Sequence, residues 1–165
     1  MAKIKIFMVT FAFFLIMCGG SLQLLNPQWY KFRLLMKKES GLYICNKKLY
    51  NESLNLKLAE LPNGKYSIGL SSEGYEMFYW REPYDFEQVG IGIESRKQHK
   101  RYYVDSNGIE RTISYYKDFR YTDIGFFIGG DEGAGIFIDF SAKSPFYHKN
   151  NIFYEDKVKC QTKNQ

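Results

Sequence analysis

The sequence predicts a mainly β chain: an antiparallel meander forming a β-sandwich or barrel-like sheet, with one short N-terminal helix after a signal segment. Three observations carry this. Fourteen Tyr and fourteen Phe among 165 residues favour pleated, half-buried surfaces, on which aromatic side chains pack well. From Leu42 onward apolar and polar residues alternate with a period of two, broken by turn residues at the spacing of an all-β domain. Three glycine-bearing stretches also read as hairpin tips.

With 45% apolar residues, a chain of this length buries one core. It divides into 1–20, a signal or anchor; 21–41, a connecting segment with the helix; and 42–165, the β-rich exported domain. In the first part Lys3 and Lys5 precede an uncharged run from Ile6 to Met17, and small residues follow, the layout of a secretory signal. Three fates compete: cleavage near Gly20 or Ser21, lipidation at Cys18 in a lipobox-like "LIMC", or retention as a membrane anchor. All three place the remainder in the periplasm or cell envelope.

"NPQWYKFRLLMKKESG" carries helix punctuation, with Asn26 as N-cap, Pro27 at the first helical position, Lys37 and Lys38 in the last turn and Gly41 beyond it. Trp29, Phe32, Arg33 and Met36 share one side of that helix. It either docks on the sheet through Trp29 and Phe32 or lies on a membrane surface beyond an anchor.

The strands expected after it are 42–47, 54–61, 65–71, 76–81, 89–95, 100–105, 109–116, 123–130, 134–140 and 151–160. In "GFFIGGDEGAGIFIDF" a loop of Asp131, Glu132 and Gly133 pairs Ile128 with Ile136 and Phe127 with Phe137. In "LKLAELPNGKYSIGL" a loop of Pro62, Asn63 and Gly64 pairs Leu58 with Ile68. An Asn107-Gly108 turn pairs Tyr102 with Ile113 but sets Asp105 against Glu110, so that register stays open. Outside Cys18 there are two cysteines, Cys45 and Cys160; in an oxidising compartment they form one disulfide that pins the C-terminal strand to the first.

The formal charge of +5 becomes +3 once two of the 23 basic residues, Lys3 and Lys5, leave with a cleaved signal, which gives no mandate for nucleic acid. "GGDEGAG" lacks the lysine of a phosphate loop, and a strand follows where a helix is needed. Asp131 and Glu132 read as a solvated turn. His99 and His148 are the only imidazoles. With both exported cysteines in a disulfide no Cys/His metal site assembles, and no nucleophile elbow is present. No cofactor is expected.

The surface residues best suited to a partner are the cluster Arg96, Lys97, Lys100 and Arg101, read as a connection between strands, together with Tyr79 and Trp80 of "GYEMFYWREPYDF". "NES" at 51–53 is an N-glycosylation acceptor only in a host that glycosylates. The expectation is a non-catalytic exported module of the bacterial envelope that binds a protein partner, as an inhibitor or immunity protein does, with possible membrane association through the N-terminus. The alternatives are a structural or accessory envelope lipoprotein, or a small exported hydrolase.

Overall fold

The structure is a computed structural model that describes residues 2–17, 23–62, 64–131, 135–155 and 160. Helix α1 (Ala2–Met17), a 3₁₀ turn (Gln23–Leu25) and helix α2 (Pro27–Glu39) come first. Strand β1 (Gly41–Ile44) leads into helix α3 (Lys47–Leu54). Then follow β2 (Ala59–Glu60), β3 (Lys65–Leu70), β4 (Glu76–Trp80), β5 (Asp85–Gly90), β6 (Ile93–Val104), β7 (Glu110–Asp131), β8 (Gly135–Lys143) and β9 (Ile152–Tyr154). The strands form a single sheet in the order β2-β3-β4-β6-β7-β1-β9, with β5 on β6 and β8 on β7, and the sheet is not closed into a barrel.

The punctuation of α2 works as read. Asn26 Oδ1 accepts from Gln28 N at 3.0 Å, Pro27 opens the helix, and Lys37 and Lys38 sit in its last turn. Phe32 and Met36 are buried against Ile93, Phe119 and Tyr121, with Trp29 packed alongside, so the helix docks on the sheet. Arg33 is exposed, unlike the other three residues assigned to that side.

Helix α3 lies within 42–165, where only strands were expected, and corrects the expectation of a single short helix after the signal segment. In α3, Asn46 Oδ1 accepts from Leu49 N at 3.2 Å, and Leu49 is wholly buried with Ile68, Met77 and Ile113. Side chains alternate across a strand. Phe119 and Tyr121 therefore leave the face of β7 that α2 covers, while Tyr116 and Asp118 leave the other.

Three more corrections concern continuity. The expected strands 109–116 and 123–130 are one strand, β7, and the expected strand 89–95 is divided between β5, which already starts at Asp85, and β6. Residues 96–99 are not a connection; they lie inside β6. The order is not a pure meander, because β1 inserts between β7 and β9, antiparallel to the first and parallel to the second. That parallel pair does join the C-terminal strand to the first one, and Cys45 and Cys160 form the expected disulfide across 115 residues.

The hairpins share one construction. The loops 62–64, 72–74 and 106–108 each end on a glycine with φ of +71°, +82° and +76°, and each glycine N–H donates back to the residue before its loop. Ala59 faces Ser67, on the expected register. At the third loop the turn has three residues, not two. Val104 faces Glu110, and Asp105 turns to Arg111 at 2.8 Å, which removes the like-charge clash. In the hairpin of β7 and β8 the register is two residues further on than expected: Ile128 faces Ile138, and Phe127 faces Asp139 instead of Phe137. The turn assigned to Asp131, Glu132 and Gly133 falls partly outside the described residues, as does Cys18.

Candidate functional site

Bulges in two strands create a cleft. Between the pairs Gln98–Tyr116 and Arg101–Ser114, β6 has one residue more than β7, so His99 and Lys100 stand against Tyr115 alone. His99 takes a left-handed backbone, φ +55°, at a place where glycine is the inexpensive choice. Just beyond, Ile113 is the extra residue on β7. The shifts bring Gln98, His99 and Arg101 to one opening with Ser114 and Tyr116.

The resulting cavity has a volume of about 400 Å³. Tyr79 of β4 forms one wall, Leu42 of β1 with Tyr50 and Leu54 of α3 another, and His148 and Asn150 close it. The segment carrying these last two is tied down on both sides of His148. Tyr147 exchanges backbone hydrogen bonds with Phe119 at 2.8 and 3.0 Å, Lys149 N donates to Ser40 Oγ at 3.0 Å, and Asn151 O accepts from Leu42 N at 2.8 Å.

Inside, charge and aromatic surface alternate. The Arg101 guanidinium lies 5.2 Å from the Tyr50 ring centre and 5.7 Å from that of Tyr79. Its buried Nε has no hydrogen-bond partner among the described residues. Tyr79 Oη and His99 Nδ1 are 2.6 Å apart. Both histidine rings stand nearly perpendicular to Tyr116, with ring centres 5.8 Å away for His99 and 6.3 Å for His148. Burial pushes the His99 imidazole below its ordinary value, offset in part by Asp118. Burial also pushes the Tyr79 and Tyr116 phenols up, so both remain hydroxyl donors at neutral pH.

No carboxylate is among the described residues lining the cleft. Asp118 is buried next to the lining residue Gln98 and accepts from it and from Arg96. Its burial raises it above the usual carboxylate range, and Arg96 pulls it back.

The residues singled out from sequence separate here. Arg101 and Tyr79 enter the cleft. Arg96 pairs with Asp118 at 3.2 Å and covers Phe146, Lys97 pairs with Asp85 at 2.8 Å, and Lys100, itself buried, pairs with Glu110 at 2.9 Å. Trp80 stacks with Tyr84 under Lys65. Tyr50, Tyr116 and the two histidines were not grouped by the sequence. Forty-nine positions separate His99 from His148, and only the β6 bulge and the tethered segment after β8 bring them together.

Cys45, Glu155 and Cys160 place possible metal-ligand atoms within 4.8 Å of one another, but the two sulfurs are bonded to each other and offer no thiolate. No helix among the described residues is long and apolar enough to cross a membrane. No protein-family model, curated protein or solved structure matches the chain.

Proposed function

We propose that the protein is a non-catalytic exported binding module, of the inhibitor or immunity type, that seats an anionic group of a protein partner in the cleft. The observation that carries this is Arg101. It is a permanent cation held between two tyrosine rings with its Nε unpaired, in a cavity whose described lining has no carboxylate to neutralise it. A desolvated guanidinium gains most from a planar or tetrahedral anion that completes its donor set. Phenol, imidazole, amide and hydroxyl groups around it add donors to hold that anion, and tyrosine with arginine is the composition of a binding hot spot. The disulfide is compatible with export.

Titration of the ¹⁵N-labelled protein with hexaglutamate tests this reading. Saturable shifts of the Arg101 Nε–H and the His99 ring are expected, absent in Arg101→Gln. Shifts confined to surface lysines would reject it.

A second reading, a small exported hydrolase, is favoured by one observation: the short Tyr79–His99 contact beside His148. With Nδ1–H donating to the Tyr79 oxygen, a neutral His99 imidazole leaves Nε2 free as a general base. Turnover of a chromogenic ester or phosphodiester that is abolished in both His99→Ala and His148→Ala, with the fold intact, would replace the first reading by this one.

A further inference from the structure

The outward face of α2 has a pattern that its docking on the sheet does not use. At 100° per residue the stripe of Trp29, Phe32 and Met36 leaves Leu34 near the centre of the opposite face, with Tyr30 beside it. Arg33 and Lys37 flank them on one side, Lys31 and Lys38 on the other, and all four basic side chains are exposed. The one acid of the helix, Glu39, turns away to Lys117 at 2.8 Å.

Neighbouring pieces extend this surface. Leu24 and Leu25 of the 3₁₀ turn are exposed, and Tyr30 Oη fixes that turn to α2 by donating to Leu24 O at 2.8 Å. Lys31 Nζ donates to Val89 O at 3.0 Å, which ties the β5–β6 turn to the helix. The tip of that turn is Ile91, 78% exposed. Together Leu24, Leu25, Tyr30 and Leu34 form an apolar strip between basic borders, with Ile91 exposed beyond the Lys31 border.

We propose that this face docks on an anionic bilayer surface. The arrangement of an apolar ridge, a tyrosine and lysines or arginines on both flanks matches an interfacial helix, in which apolar groups enter the acyl boundary and long basic side chains reach the head groups. Charge complementarity selects anionic lipid over a neutral surface, since each basic residue at such a surface raises membrane affinity by about fivefold. Continuity selects a membrane over a protein partner: α1, apolar and with its described side chains exposed, precedes this strip by a few residues. The cleft is on the opposite face of the sheet from α2, so the proposal stands apart from the binding of a partner there.

The test uses the full chain with vesicles of phosphatidylcholine alone or mixed with phosphatidylglycerol. Because α1 would hold the chain on either lipid, bulk binding is not the readout. The rate of amine acylation at Lys37 and Lys38 is measured instead, against exposed Lys57 beside β2. Several-fold slower acylation of Lys37 and Lys38 on the anionic vesicles alone, with Lys57 unchanged, is expected. Leu34→Glu, at an exposed position, should restore the rate while retaining the disulfide and the far-ultraviolet spectrum. Equal rates on the two lipids, or protection that survives Leu34→Glu, would overturn the proposal.

Discussion

A side chain bearing a Cβ costs about 1–2 kcal/mol in the left-handed region, and His99 occupies it in the middle of a strand. Strain of this kind persists where surrounding contacts over-determine it, and the ring contacts to Tyr79 and Tyr116 do so here. Two substitutions separate backbone from ring. His99→Gly and His99→Ala both lose the ring contacts, but only glycine relieves the backbone; urea unfolding should find the glycine variant more stable than the alanine variant by about 1 kcal/mol. Equal stabilities would mean that the bulge does not require this backbone.

The imidazole also makes stability depend on pH. Its folded pKa lies below the unfolded value, so the unfolded chain takes up the proton first as pH falls. The contribution of neutral His99 is fully present above about pH 6.5 and declines as pH drops from there towards the folded value. Asp118 has the opposite sign: its raised pKa favours the fold at acidic pH and loses that advantage as pH rises through the folded value. Unfolding midpoints in the Asp118→Asn background should therefore keep the decline below pH 6.5, and those of His99→Gly should lose it.

At the scale of elements, two glycines with positive φ serve different ends. Nothing lies within 4 Å of a Cβ added to Gly108, so Gly108→Ala is limited to the backbone cost of about 1–2 kcal/mol. A Cβ on Gly41 would stand 2.4 Å from Asn151 O, at the point where β1 receives the segment that carries His148 and Asn150. Gly41→Ala should destabilise more than Gly108→Ala in thermal unfolding, and it alone should shift the His148 ring resonances.

The loop that ends on Gly64 was legible in the sequence because its determinants are local: a turn residue pair followed by a left-handed glycine sets the tip within five positions. The cap of α2 was legible for the same reason. The unity of β7 was not, since the strands expected over 109–116 and 123–130 leave out 117–122, where Asp118 is buried in the sheet. Asp118 is held in the sheet by Arg96 and Gln98 from the neighbouring strand, a non-local compensation that no window along the chain contains. Helix α3 shows Asn46 as a cap, but its eight residues are too few to establish a period. Of the cleft, only Arg101 and Tyr79 stood out, since the β6 bulge that assembles it has no glycine to announce it.

For the whole molecule, the sheet joins the two ends of the β domain. Strand β1 lies between β7 and β9, and beyond β9 the disulfide returns to Cys45 at the end of β1. The wall of the cleft at His148 and Asn150 is only two residues from β9, a strand whose described pairing is to β1 alone. Closing a loop of this length restricts the unfolded chain by about 4–5 kcal/mol in the chain-entropy account, less any native strain. The double variant Cys45→Ser/Cys160→Ser should accordingly lose several kcal/mol in urea unfolding. A second consequence is local. With the covalent tie gone, three residues of parallel pairing hold β9, and its amides should exchange far faster than those of β6 and β7 under conditions where the sheet stays folded. The His148 resonances should broaden with them, and hexaglutamate should bind more weakly even in the folded fraction. If β9 and β7 amides instead exchange together at the global rate, the disulfide acts through the unfolded state alone and the wall at His148 is held by the Tyr147 and Asn151 hydrogen bonds without it.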